Sequence, residues 1–306
     1  MIVTVTGSLG NVGRILTEKL ITKGHTVKVV TSNPARSEAI RALGAVPLVG
    51  SLDDYEFVKH SFEGSDAVYL MIPPDYHAPD VKQYMMTMGR QYARALKETG
   101  VKLAVNLSSV GAHLEDGLGP TGPNFYIEQL LNELQHVHVL HLRPGMFMTN
   151  FYGAMPLIRY QGMIGNNFNG SASLPLTHPR DIAEAAFRAI DDFSVSGKQV
   201  RYVVSDVKNG EQVARALGNA AGKPDVHWVE FSDEQLLGAL MQDGFSQPMA
   251  QVYIIEIGVA IRDGSFAEDF QKQWNQPTGR VTLDEFSREF AMAYRSGDLN
   301  TAPTTF

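Results

Sequence analysis

Three glycines at a spacing of three, Gly7, Gly10 and Gly13, stand between an apolar run, Ile2–Thr6, and a stretch of helical periodicity, Asn11–Lys23. That arrangement can hold a diphosphate. Gly7 permits a tight turn off a strand, Gly10 lets backbone approach an anion, and Gly13 lets helix and sheet pack closely. Leu9, Asn11 and Val12 complete the loop, and the helix beyond it presents unpaired amides and a partial positive charge. Other chemistries find less support. The chain has no cysteine, which excludes disulfides, thiolate metal sites and cysteine nucleophiles. His136 and His138 share a strand face without a third ligand, so no metal site is expected. A net charge of −7 and the lack of a Lys/Arg cluster argue against direct nucleic-acid binding.

A diphosphate loop needs a strand before it and a helix after it, and the chain repeats that unit. Expected strands are Ile2–Thr6, Thr26–Thr31, Ala45–Val49, Ala67–Ile72 and Lys102–Leu107, with helices at Asn11–Lys23, Ala35–Leu43, Asp53–Phe62 and Ala78–Glu98 between them. Gly24, Gly44 and Gly100 stand where helix C-caps are wanted. Such alternation implies a parallel sheet covered on both faces. A Gly- and Pro-rich loop, Gly111–Pro123, leads to a helix at Phe125–Leu134 and a strand at Val137–Leu142. Beyond a mixed segment, Met146–Leu176, helices are expected at Pro179–Asp191, Gly210–Ala221 and Leu283–Tyr294, and strands at Gln199–Val204 and His227–Phe231. Thr301–Phe306 should fray. The fold class expected is α/β: a Rossmann-type doubly wound parallel sheet over residues 1–150, with a smaller, mixed C-terminal substrate lobe over 151–306. Residues 179–204 of that second part are expected to return to the core. No stretch approaches the ~20 apolar residues of a membrane span, the N-terminus lacks signal-peptide features, and cytoplasm is the default location.

The end of the second strand selects the cofactor. A carboxylate there would bind a free ribose 2′-hydroxyl and repel a 2′-phosphate. Thr31–Arg36 has none, so NADP is favoured over NAD. Ser32 and Asn33 can donate hydrogen bonds, and Arg36 reads either as a phosphate partner or as a solvated surface residue. Leu52 can pack on the adenine, and Ile72 and Pro73, past the fourth strand, line the cofactor path. Phe147, Phe151 and Tyr152, with Tyr160 and Phe168, form either an apolar substrate pocket or core between lobes. Arg143 follows a buried-looking strand and needs a fixed partner; Glu211 reads as a helix-capping group.

The Gly-x-x-Gly-x-x-Gly spacing resembles the short-chain dehydrogenase/reductase superfamily. Further residues resemble its atypical NmrA-like branch: Ser32-Asn33-Pro34-Ala35-Arg36, Gly50-Ser51-Leu52-Asp53-Asp54, Leu142-Arg143-Pro144-Gly145-Met146-Phe147-Met148-Thr149-Asn150 and His178-Pro179-Arg180-Asp181-Ile182-Ala183. The likeness spans nearly the whole chain. Two departures concern the cofactor, because the family often has a basic residue at Ser32 and an aspartate at Ser51. The resemblance implies Ser108 as a cofactor contact, Ser109 as the residue holding a substrate oxygen, and Tyr126 as the acid. In active members a lysine four residues beyond the tyrosine lowers its pKa, and here that position is Leu130. The branch's alternative, a lysine or histidine at the helix start, is also missing from Asn124-Phe125-Tyr126. Strand capping by Ser109 and packing by Tyr126 are therefore kept as alternatives, and His113 as either a recruited base or a surface residue. The resemblance implies an NADPH-dependent oxidoreductase acting on a small apolar acceptor such as a quinone, enone or aldehyde. The competing reading is a non-catalytic NADP(H) sensor with a protein partner. A sugar-nucleotide or isomerase-type relative fits less well, and a homodimer is left open.

Overall fold

The computed structural model describes residues 1–75, 77–274 and 276–296, so the expectation for Thr301–Phe306 lies outside the described residues. Strands β1 (Ile2–Val5), β2 (Thr26–Thr31), β3 (Val46–Val49), β4 (Ala67–Leu70), β5 (Leu103–Leu107) and β6 (His138–Pro144) alternate with helices α1 (Gly13–Thr22), α2 (Ser37–Ala42), α3 (Tyr55–Phe62), α4 (Val81–Thr99) and α5 (Thr121–Asn132). The chain then leaves the sheet through β7 (Met146–Phe147), α6 (Met155–Gln161), β8 (Met163–Asn166) and β9 (Ser173–Thr177). It returns through α7 (Pro179–Asp191) and β10 (Lys198–Val203). After β11 (Asp206–Asn209), α8 (Gly210–Ala220) and β12 (His227–Glu230), the chain is helical: α9 (Asp233–Gln242), α10 (Gln247–Ala250), α11 (Glu256–Arg262), α12 (Glu268–Gln273) and α13 (Leu283–Ser296).

Among the described residues the central sheet runs β10-β6-β5-β4-β1-β2-β3, all parallel. Strand order reverses between β1 and β4, and such a point opens a ligand crevice at the strands' carboxyl ends. Both faces are covered, which is why β4 is buried at every position. Val3, Val5, Leu16 and Ile182 pack on the face of α1 and α7, while Val68, Ala104, Ile127 and Leu131 pack on the face of α3, α4 and α5. A separate core, built around Phe151, Phe168, Leu176, Phe286 and Phe290, fills the C-terminal part. There, smaller sheets run β11-β9-β7 and β12-β8. No helix among the described residues is long and apolar enough to cross a membrane.

Several boundaries differ from the sequence reading, each for a local reason. Asp54 and Asp80 cap α3 and α4 through their side chains, so both helices start later than expected. Helix α5 starts four residues earlier, at Thr121 rather than Phe125, because Pro123 falls in its first turn, where no intrahelical amide is required. Strand β6 runs on to Pro144, whose carbonyl accepts from Val110 N (2.9 Å). Glu211 does not cap α8: Asn209 does, in a reciprocal capping box with Gln212. The His178-Pro179-Arg180-Asp181 sequence is a lock. His178 caps α7, and Asp181 Oδ2 accepts from Ser205 Oγ (2.6 Å) and from the amides of Arg280 (2.9 Å) and Val281 (3.0 Å). The segment leading into α13 is thereby fastened to the core.

His141 lies fully inside, between β5 and α5. Its Nδ1 accepts from Asn106 Nδ2 (3.2 Å) and its Nε2 donates to Asn132 Oδ1 (3.0 Å), which holds the neutral ring. Burial pushes its pKa down to about 4 from an ordinary 6.5. A histidine lowered on folding stabilises the native state fully above pH 6.5, and that contribution is lost as pH falls toward about 4. The amount is on the order of 3 kcal/mol. Chemical denaturation of His141→Gln across this range should therefore lose stability less steeply than the parent chain. Parallel curves would show that another group titrates.

Candidate functional site

The crevice is built from β1 outward. Thr6 Oγ1, just past β1, donates to Met71 O (3.0 Å) and accepts from Met71 N (2.7 Å), while Tyr92 Oη donates to the same carbonyl (2.9 Å). These bonds pin the glycine loop to the end of β4. Gly7 sits at φ +85°, and a Cβ there would lie 2.5 Å from Met71 Cε. A Cβ on Gly13 would lie 2.3 Å from Ser8 O. Gly10 N closes the turn on Gly7 O (3.3 Å). Helix α1 starts at Gly13, two residues later than expected, with no side-chain cap. The amides of Leu9, Val12 and Gly13 consequently have no backbone acceptor among the described residues. Ser8, itself at φ +54°, buries a hydroxyl with no partner. Amides without a backbone acceptor, beside two positions where a Cβ would clash, are the kind of loop that a diphosphate requires.

At the end of β2, Ser32, Asn33 and Arg36 are exposed, and no carboxylate stands between Thr31 and Ser37. Asn33 Oδ1 caps the turn Pro34–Arg36 by accepting from Ala35 N (3.0 Å), which leaves its Nδ2 as donor. Arg36 has no ion-pair partner among the described residues, so its guanidinium is available to a 2′-phosphate. Leu52 is half-buried against the α3–α4 face, with Ile72. Pro73, also half-buried, gives its carbonyl to Tyr84 Oη (3.0 Å).

The carboxyl end of β5 holds a buried ionic cluster. Arg143 meets Glu128 through two bonds, Nε to Oε1 (3.0 Å) and Nη2 to Oε2 (2.6 Å), and also donates to Ala112 O (3.3 Å) and Tyr202 Oη (3.1 Å). Tyr202 Oη donates in turn to Asp269 of α12. Burial would lower the arginine's pKa, but Glu128 outweighs it and the guanidinium stays charged. Arg143 thus has the fixed partner its position demanded.

Two expected site residues have protein partners here. The Ser108 hydroxyl donates to Glu128 Oε1 (2.5 Å) and its amide to Leu142 O (2.8 Å). Tyr126 is two positions from Glu128, about 200° around the helix, and so points away from the β5 end. It is 40% exposed, and its hydroxyl donates to Glu115 (3.2 Å). Desolvation and that carboxylate hold the phenol above its ordinary pKa, which makes it a weaker acid. Ser109 remains at the β5 end, half-buried, and its hydroxyl has no hydrogen-bond partner among the described residues. His113 is half-buried, its ring nitrogens have no hydrogen-bond partner among the described residues, and burial lowers its pKa.

The aromatic segment divides. Phe147 is half-buried and packs against the sheet core on the α1 and α7 face, as Leu9, Met71 and Leu107 do. Phe151 and Tyr152 are core of the C-terminal part instead, and Tyr152 stacks on Phe290 at 5.9 Å. Phe168 is buried beside Trp228, and Tyr160 is exposed. Sequence reasoning missed Glu128 and Asp269 as the cluster's acids. Arg143 signalled that an acid was needed but not which one. A cavity of about 320 Å³ lies between Asn169–Ser173 and Ile261–Ala267; no residue of the glycine loop lines it, and it is not the nucleotide site.

These features define a nucleotide-binding α/β protein of the Rossmann type. Residues 1–286 match the model of the NmrA-like family, and the chain belongs to that family. It is 24% identical over 300 residues to an NAD(P)H azoreductase from Xenophilus azovorans, covering 95% of this chain and 99% of that protein. Among solved structures it is similar to an NADPH-dependent quinone oxidoreductase from Escherichia coli complexed with NADPH (TM-score 0.78, 22% identity, 94% of this chain and 99% of the other). It is likewise similar to the triphenylmethane reductase of Citrobacter sp. complexed with NADP(H) (TM-score 0.78, 20% identity, 94% and 99%).

Removing one half of a buried ion pair leaves an uncompensated charge, which costs about 3–5 kcal/mol, whereas replacing both halves with apolar groups is often neutral. Arg143→Met should destabilise by that amount in urea denaturation. Adding Glu128→Leu should recover most of the loss. Additive losses would mean that the pair is not coupled.

Proposed function

We propose that this chain is an NADPH-dependent oxidoreductase that reduces a small apolar acceptor such as a quinone, enone or aldehyde. The observation that carries the reading is the glycine loop Gly7–Gly13, where the amides of Leu9, Val12 and Gly13 have no backbone acceptor among the described residues, with no ion pair to Arg36 among them and no carboxylate at the end of β2. The relatives support it, being an azoreductase, a quinone oxidoreductase and a triphenylmethane reductase.

A reduced nicotinamide supplies hydride when bound. The chain's own contribution is binding and positioning. Backbone amides of Leu9, Val12 and Gly13 hold the diphosphate, while Arg36 and Asn33 Nδ2 receive the 2′-phosphate. Met71, Leu107 and Phe147 supply an apolar rim that excludes water beside the β5 end. With Tyr126 turned outward, no tyrosine–lysine pair serves as acid, so an acceptor that takes its proton from water suits the site best.

A Cβ on Gly10 would lie 3.3 Å from Gly7 O, a tight contact that a shift of a few tenths of an ångström relieves. Gly10→Glu should put a carboxylate into the cradle and abolish calorimetric NADP binding while a cooperative melting transition is retained. Retained heat would refute the cradle. Arg36→Glu should cost NADP roughly 1.5–3 kcal/mol, the value of a charged hydrogen bond, while leaving NAD much less affected; equal losses would remove Arg36 from the site. Stopped-flow oxidation of NADPH with a quinone and enone panel tests the reaction. Tight cofactor binding without turnover of any acceptor would favour the sensor instead, provided oxidised and reduced cofactor bind with different affinities.

A further inference from the structure

Helix α11 begins with Glu256, and one oxygen of that carboxylate serves two loops. Glu256 Oε2 accepts from Lys82 Nζ, in the first turn of α4 (2.6 Å), and from Gly119 N, in the loop before α5 (2.8 Å). Those loops leave the carboxyl ends of β4 and β5, neighbouring strands of the central sheet. On the second loop the approach is close: Gly119 sits at φ +63°, and a Cβ there would lie 2.8 Å from Val252 O. On the first, Ala78 and Val81 pack with Met249 and Val252 in a small core of their own. One helical run, from α10 through a π-helical stretch, Gln251–Ile255, into α11, therefore crosses both loops.

A single further side chain connects that run with the nucleotide crevice. Tyr84 packs against the same small core and donates to Pro73 O (3.0 Å), on the segment that follows β4. That segment is the β4 wall of the crevice, so tying the first turn of α4 to the Gly119 loop also holds the wall. The attachment is light. Between Asp233 and Ile255 only Met249, Ala250, Val252 and Ile255 are buried, and α9 buries none of its residues. Segments with so few buried apolar groups open locally at small cost, and π-helical turns are rare and recur at functional sites. The half-buried Lys82–Glu256 pair supplies a charged bond to an otherwise thin contact.

We propose that residues 247–256 are a strap across the nucleotide crevice and that Glu256 is its latch: the dinucleotide enters and leaves when Glu256 releases Lys82 and Gly119. This rests on the nucleotide site at Gly7–Gly13 and on no particular reaction. Glu256 is a positioning residue outside the nucleotide's own contacts, so the latch is the same with the crevice empty or filled. Loosening it therefore speeds both directions of exchange by one factor and leaves the affinity where it was.

Stopped-flow fluorescence of NADPH with the full chain, without any acceptor, reads both rates. Glu256→Gln removes the charge yet keeps an oxygen for Gly119 N, and Lys82→Met breaks the pair from the other side. Each should raise the association and dissociation rates about fivefold, the loss expected of a partly exposed ion pair, with Kd within about twofold. The double variant should do no more than either single one, because both act on one bond. The chain has no cysteine, so Lys82→Cys with Glu256→Cys offers a pair of thiols for a short bis-maleimide. The bridged form should exchange NADPH about tenfold more slowly than the unbridged one, as a closed lid does. The proposal is overturned if the variants fold and exchange at the parent's rates, or if they raise dissociation alone and so weaken affinity. It is equally overturned if bridging leaves exchange unchanged. A parent chain that binds no NADPH would sink the nucleotide reading and the strap with it, whereas binding at unaltered rates sinks the strap alone.

Discussion

The bidentate pair between Arg143 and Glu128 is the interaction on which the site's geometry depends. It joins the end of β6 to the middle of α5, and through Ser108 and the Ala112 carbonyl it fixes the path of the chain after β5. Through Tyr202 and Asp269 it also reaches α12, so the C-terminal part is tied to the sheet at the edge where a substrate would sit. A bidentate arginine defines direction as well as distance, because its planar fork admits one approach of a carboxylate. The cluster therefore acts as a scaffold for the neighbouring groups.

Several buried polar groups around that scaffold are fully paired. His141, Asp181 and Arg143 are buried with their hydrogen-bonding capacity used. Among the described residues, the amides of Leu9, Val12 and Gly13 have no backbone acceptor and the buried Ser8 hydroxyl has no partner. These groups stand in the glycine loop between β1 and α1. A buried donor left unmade is costly unless water or a ligand completes it.

Membership of the NmrA-like family accounts for the architecture but does not transfer a proton donor. The tyrosine nearest the expected position is turned to solvent, and the position one turn before Glu128 is an amide.

The amino-acid order alone determined the parallel sheet, the glycine loop and the bounds of β2 and α7, because periodicity, turn glycines and a proline at a helix start act within a few residues. It also determined that Arg143 needed a partner. It did not determine which acid would answer, since Glu128 is 15 residues away and becomes adjacent only once α5 packs beneath the end of β5. The same holds for the outward turn of Tyr126, the loss of Ser108 to Glu128, and the division of Phe147 from Phe151 and Tyr152. Each was decided by which face of an element met its neighbour. Residue type states what a side chain can do, but tertiary packing selects which partner it finds.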